Sequence, residues 1–231
     1  MTRFLRCLPH PQFDMLSPMR QFVSDLRTRA WKTSGSRYNA ARRLKQREMF
    51  STISLAMLSA LSVAAAVAQR IYSPQPGTPL DNYLTAISVA LGVFLLAISL
   101  LEWGAAYGAK GDALHRNAED LTAYHLKLAH VLARMECGQV VEDSEVDALR
   151  VEYETIKDRC PYNHAPSDHE LFRAQQRLAP ELGATEEEPV MTGCAALFVK
   201  ARWEWSTIWF FLLVWIVVAA ACAYSLWIPK T

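Results

Sequence analysis

Charge-free apolar runs alternate along this chain with stretches where apolar residues return every three or four positions. Three runs contain no Asp, Glu, Lys or Arg: Met49–Gln69, Asn82–Leu101 and Trp205–Pro229. Each is long enough to cross a hydrocarbon layer roughly 30 Å thick as a helix. Lipid offers no partner for an exposed backbone group, so such runs must be helical. A soluble domain of this size has too little interior to hide three of them. Pro74, Pro76, Gly77 and Pro79 lie between the first two runs and suit a tight reversal. The pattern therefore predicts an antiparallel transmembrane hairpin, with spans over 49–70 and 82–103, and a third span within 203–231.

The remaining segments carry amphipathic patterns. Met19, Phe22, Val23, Leu26 and Ala30 follow Ser17-Pro18, which reads as a helix N-cap with proline at the first helical position. After the second span, Leu114, Asn117, Leu121, Tyr124, Leu128, Val131 and Met135 alternate spacings of three and four. That is a coiled-coil seam, and one helix over about 104–136 is expected. Gly138 ends it, and Asp143 or Ser144 can cap a second helix over 143–159. There Val146, Leu149, Tyr153 and Ile156 repeat the rhythm, so the two helices should pack antiparallel. Pro161 and Pro166 interrupt the chain, and Ser167 with Glu170 reads as the capping box of a short helix over 168–178. Residues 179–202, with Thr185-Glu186-Glu187-Glu188-Pro189, read as an acidic solvated linker. The expected fold class is an all-α membrane protein. A transmembrane helical hairpin is extended by a cytoplasmic antiparallel helical hairpin within a domain over 37–178, and a third transmembrane helix follows.

Charge adds an orientation. Residues 1–50 hold 11 Lys/Arg against three acids, whereas residues 105–200 hold 10 against 17. Arg37, Arg42, Arg43, Lys45 and Arg47 crowd the approach to the first span, while the hairpin turn has no basic residue. The basic side stays in the cytoplasm, so the N-terminus is expected inside and the C-terminus outside. Lys200 and Arg202 hold the near end of the third span inside, leaving Lys230 beyond it; Trp203, Trp205, Trp209 and Trp227 bracket that span as interfacial anchors. The basic segment over 1–36 has two open readings: it lies on anionic lipid, or it packs against the acidic helices of its own chain. Direct nucleic-acid binding is not expected, because no recognition fold accompanies the charge. No apolar stretch follows Arg3 and Arg6, so no signal peptide is expected.

Candidate chemistry is sparse. Cys7, Cys137, Cys160, Cys194 and Cys222 form no CxxC pair, and reduced thiols fit them better than a disulfide framework. Cys160, His164, Asp168 and His169 together raise a zinc site, and with it a membrane-tethered hydrolase. Their spacing matches no closed-site motif, and Asp168 is explained by the start of a helix. No nucleotide-binding, serine-hydrolase or metalloprotease motif occurs. His115, His125 and His130 share no metal-binding face and read as solvent-side or interhelical. No metal, cofactor or catalytic residue is therefore expected, and the chain reads as a protein that is not an enzyme. Two weakly polar faces remain. Ala56, Ala60, Ala64 and Ala68 repeat every fourth residue in the first span, and Thr85, Ser88, Gly92 and Ser99 share a face of the second. Small residues let helix backbones approach closely, within one chain or between copies, so both faces are candidate seams for packing and for a homo-oligomer in the bilayer. A permanent ion path has little support without an intramembrane charge.

Arg37–Leu61 (RYNAARRLKQREMFSTISLAMLSAL) resembles the approach to the first membrane helix of SLATT-domain proteins, with Tyr38, Asn39, Arg43 and Leu44 at motif positions. Leu100–Leu121, carrying Glu102, His115, Asn117 and Ala118, is similar to that family's exit from the second helix. Asn163, His164 and Asp168 resemble its later Asn-His and Asp element. The resemblance covers about residues 37–172, and its specificity rests on the order and spacing of short motifs. It implies a bacterial inner-membrane, two-transmembrane effector of conflict and antiphage systems, tied to abortive infection. Such an effector would oligomerise and permeabilise or perturb the membrane when triggered. Its partner would be a separately encoded sensor: a nucleotidyltransferase, a SLOG-type sensor or a reverse transcriptase. The third hydrophobic helix and the lack of a sensor domain depart from the pattern. A competing expectation is a non-enzymatic membrane scaffold or receptor that recruits a cytosolic partner through its acidic helices.

Overall fold

The computed structural model of the protein describes residues 18–72, 77–185 and 188–224, with Tyr72 and Leu80 described by backbone alone. Cys7, Ser17, Pro74, Pro76, Glu186, Glu187, Trp227 and Lys230, and the expectations attached to them, lie outside the described residues. Among the described residues every regular element is helical: α1 (Pro18–Tyr72), α2 (Pro79–Ala105), α3 (Tyr107–Glu136), α4 (Asp143–Asp158), α5 (Pro166–Gln175), a 3-10 turn (Pro180–Leu182) and α6 (Gly193–Tyr224). Three helices carry stretches long and apolar enough to cross a membrane. The protein is a multi-pass, all-α membrane protein. It divides into a polar unit, from residues 1–41 and 112–200, and an apolar unit, from residues 42–111 and 201–231.

In the polar unit, pairings fix the direction of each helix. Asn117 meets the Ile156 carbonyl, Tyr124 that of Leu149, Lys127 meets Glu152, and Arg134 meets Glu145. The overall fall in partner number from 156 to 145 makes α3 and α4 antiparallel. Arg20 with Glu136, the Arg27 carbonyl with His125, and Arg37 with Asn117 make the first half of α1 antiparallel to α3. All three stripes share one core, in which Val23, Leu26 and Ala30 join Leu121, Tyr124, Leu128, Leu149, Tyr153 and Ile156. Each large side chain buried there contributes about 1.5–3 kcal/mol. For residues 18–36 of the basic segment, the packing is against the helices of its own chain. Its apolar stripe is spent on its own chain, within a 55-residue helix that runs on into the first span.

In the apolar unit, Gln69 donates to Asp81 (3.1 Å) and Thr85 (2.7 Å), which joins the end of α1 to the start of α2 as a hairpin. Thr78 caps α2 by accepting the Asp81 N–H, with Pro79 at the first helical position. α6 runs parallel to α1: Arg42 lies over Trp203, Arg47 donates to the Ser206 carbonyl, Phe50 meets Phe211 and Trp215 donates to Ser54. Tyr83 donates to the Ala221 carbonyl (2.8 Å) and ties α2 to α6.

Four local expectations need correction. The helix after the second span is interrupted at Ala106, which sits in the left-handed region (φ 47°, ψ 43°). That conformation costs a residue with a Cβ about 1–2 kcal/mol. Gly138 does end α3, at φ 79°, but the N-cap of α4 is Glu142 rather than Asp143 or Ser144. The N-cap of α5 is Ala165 rather than Ser167. Pro166 fixes the first helical dihedral one residue later, and the Asp168 carboxylate accepts the Ala165 N–H at 2.9 Å. That is half of a capping box, since alanine has no side-chain acceptor. Finally, α6 begins at Gly193, where Thr192 accepts the Ala195 N–H, well before Trp203.

Gly35 shows how tightly the polar unit is packed. A Cβ there would enter the ring of Phe172, which is buried and meets Trp31 edge-on at 4.9 Å. Glycine to alanine within a helix ordinarily gains about 0.5–1 kcal/mol, whereas overpacking costs about 1–3 kcal/mol. Gly35→Ala should therefore lower the thermal unfolding midpoint; an unchanged or higher midpoint would show that Phe172 yields.

Candidate functional site

Buried side chains in a water-facing helical unit are normally apolar, yet Ser34, Ser36, Arg37, Asn39, Asn117 and Asp168 are all buried. They sit where α1, α3, α4 and α5 meet. Arg37 occupies the stripe of α1 that carries Val23, Leu26 and Ala30, and is only 4% exposed. Its guanidinium donates to the Asn117 Oδ1 and to the Lys157 carbonyl (3.4 Å). Asn117 in turn donates to the Ile156 carbonyl at 2.5 Å. Both carbonyls belong to the last turn of α4, where the helix dipole favours a cation. Burial works against the charged form, and the nearby Cys160, Tyr153 and Asp158 oppose that effect. A permanently charged group is thus held by neutral acceptors and a helix end.

A second set fastens α5 to α1. Asn39 donates to the Asp168 carbonyl (3.1 Å) and exchanges hydrogen bonds with the Gln175 amide (3.2 and 3.3 Å). Ser36 donates to the Lys32 carbonyl at 2.8 Å, and its oxygen lies 3.0 Å from His169 Nδ1. With the hydroxyl proton so committed, His169 must donate from Nδ1. The ring of His169 lies 6.3 Å from that of His164. Both imidazoles are held below their ordinary value. For His164 the causes are burial, then His169 and Arg37, opposed by Asp168. For His169 they are burial, then Arg173 and Lys32, opposed by Glu170.

The residues singled out from the sequence divide cleanly. Asn39, Asn117, His164 and Asp168 come together here, Tyr38 meets His115 ring to ring at 5.3 Å, and Ala118 is fully buried beneath them. Asn163 is exposed and accepts the His164 N–H. Arg43, Leu44 and Glu102 belong to the apolar unit. Cys160 is buried and donates to the Tyr162 carbonyl (3.5 Å). Among the described residues no three His, Cys, Asp or Glu are arranged to hold a metal ion. Of the small-residue faces, Ala56, Ala60 and Ala64 are exposed and Ala68 is half-buried; Thr85, Gly92 and Ser99 are exposed and Ser88 is half-buried. The face of α1 that turns inward is instead Ser51, Ser54 and Leu58. Ser36, Arg37 and Gln175 were missed as site residues. The available signal was Arg37 itself, a charge continuing the apolar stripe.

The model of the SMODS and SLOG-associating 2TM effector domain, family 5, matches residues 19–224. The chain belongs to this SLATT family. Membership makes it a membrane effector of conflict systems, associated in general with separate sensing partners. The matched range takes in α6, so the third apolar helix lies within the family's domain rather than departing from it. No curated protein and no solved structure matches the chain.

The two histidines give this SLATT unit a pH dependence with a definite sign. Their folded values lie below the ordinary 6.5, so below that pH the unfolded chain takes up protons that the folded one resists. Stability is full above about pH 6.5 and falls as the pH drops. The thermal unfolding midpoint of the solubilised protein should fall as the pH drops from about 6.5 to 5, and His164→Gln with His169→Gln should flatten that decline. An equally steep decline in the double variant would assign it elsewhere.

Proposed function

We propose that this SLATT protein is a non-enzymatic effector of the bacterial inner membrane that assembles with copies of itself and permeabilises the bilayer when a separate sensor triggers it. One observation carries the reading. The face of α1 with Ala56, Ala60 and Ala64 is left open, because α1 turns Ser51, Ser54 and Leu58 inward. The apolar stretch that includes α2 is likewise unburied within the chain. Small residues every fourth position allow close helix approach without a hydrophobic driving force, which lipid does not supply. A trigger needs only to favour the assembled state over the separate one. The N-terminus and the polar unit lie in the cytoplasm, where a sensor partner is reached, and the turn at Gly77 lies outside.

Enlarging one rung tests the seam. Ala60→Leu, Ala64→Leu and Gly92→Leu keep insertion but obstruct close approach, so triggered cells should retain their membrane potential at normal protein levels. The measurement is dye-reported depolarisation beside crosslinking for oligomers. A wild-type protein that never depolarises cells ends the effector reading, and three variants that depolarise fully move the seam elsewhere. Topology has its own check: a reporter fused after Gly77 should read outside and one after Asp143 inside, and the reverse result overturns the orientation.

A further inference from the structure

We propose that the junction at Ala106 is a latent stretch of helix, held open by Arg47 and Glu48, and that α2 and α3 close there into one helix on activation. Two helical residues flank a single strained one. The Ala106 N–H reaches the Glu102 carbonyl at 3.3 Å, and the Lys110 N–H reaches the Ala106 carbonyl at 3.1 Å, so the ladder enters and leaves the junction in α-helical register. α2 ends at Ala105 and α3 starts at Tyr107, so the amides of Tyr107, Gly108 and Ala109 are ones that the first turn of α3 leaves without an intrahelical partner. The glycines that would bear a left-handed conformation at no cost stand two residues away on either side, at 104 and 108, while alanine bears it. Alanine is also the residue that most favours a helix. Local preference therefore points to a continuous helix, and something outside the junction opposes it.

Two side chains of α1 do so. The Arg47 guanidinium covers the Tyr107 ring at 5.9 Å while donating to the Ser206 carbonyl of α6 at 3.1 Å. The Glu48 carboxylate lies where a side chain on Gly108 would begin. Tyr107 is thereby held to α1 with Gly108 packed against Glu48, and Arg47 links that contact to α6. Displacing α6 along α1 removes the clamp, and closure recovers three hydrogen bonds while it returns Ala106 to right-handed geometry. The switch takes its purpose from the effector reading, but its existence does not depend on it.

Hydrogen exchange of the full-length protein in phosphatidylethanolamine–phosphatidylglycerol nanodiscs tests this directly. Exchange at Tyr107, Gly108 and Ala109 should be fast in the wild type. It should slow by at least about tenfold in Arg47→Ala/Glu48→Ala, as three open amides enter a ladder. Ala106→Val should slow it too with the clamp intact, because a β-branched residue resists the left-handed region more than alanine does. Adding Ala106→Gly to the clamp variant should restore wild-type exchange. Unchanged protection across Leu121–Leu132 shows that each variant is folded. Exchange as fast as wild type, or faster, in both the clamp variant and Ala106→Val overturns the proposal. Slowed exchange in the nanodiscs, together with wild-type cells that never depolarise, upholds the junction and sinks the effector reading alone.

Discussion

A hydrocarbon layer accepts no backbone polar group without a partner, and the architecture follows from that demand. It makes each apolar run a helix, and it leaves the side chains to settle which helices meet. Within lipid an apolar surface gains little by touching another, so association relies on fit and on a few directional bonds. Among the described residues the apolar unit has few of them between its helices: Gln69 to Asp81 and Thr85 at one end, Tyr83 to the Ala221 carbonyl, Arg47 to the Ser206 carbonyl, and Trp215 to Ser54. Such a unit holds together without sealing its outer faces.

The polar unit answers to water and obeys different rules. Its apolar seams were legible because a single period generates them: Leu114, Leu121 and Leu128 recur every seven residues, and Val146, Leu149, Tyr153 and Ile156 share one face of α4. The spans were legible from length and missing charge. What escaped was whatever depends on a partner distant in sequence. Arg37 looked like one more cation at a membrane boundary, because its bond to Asn117 crosses 80 residues. Ser167 looked like the cap of α5, yet the ring of Pro166 fixes the first turn before any side chain can compete. Nothing in Trp103–Lys110 marks Ala106 as left-handed, since the cause lies on α1.

Arg37 also illustrates what buried polarity does here. Replacing a buried charged group with a well-packed apolar one is often neutral or stabilising, so its place in the core is poorly explained by stability alone. Its geometry is specific instead. The Arg37 Nη1, the Asn117 amide and two carbonyls of the last turn of α4 pair together in one register of α1, α3 and α4. Sliding any helix by a turn leaves a charge without acceptors.

The attachment of α5 has a further consequence. Ten residues make a helix too short to persist in water by themselves, so α5 is ordered by what it leans on: Phe172 beneath Gly35, the Asn39–Gln175 amide pair and the Ser36–His169 bond. It is a satellite of α1, in the sense that its lifetime is set by the bonds at its base. When those bonds break together it melts as one cooperative piece while the leucine-rich core behind it persists. Asp168 and His164 would then meet solvent, and the segment from Pro161 to Gln175 would offer proteases their first foothold in the polar unit.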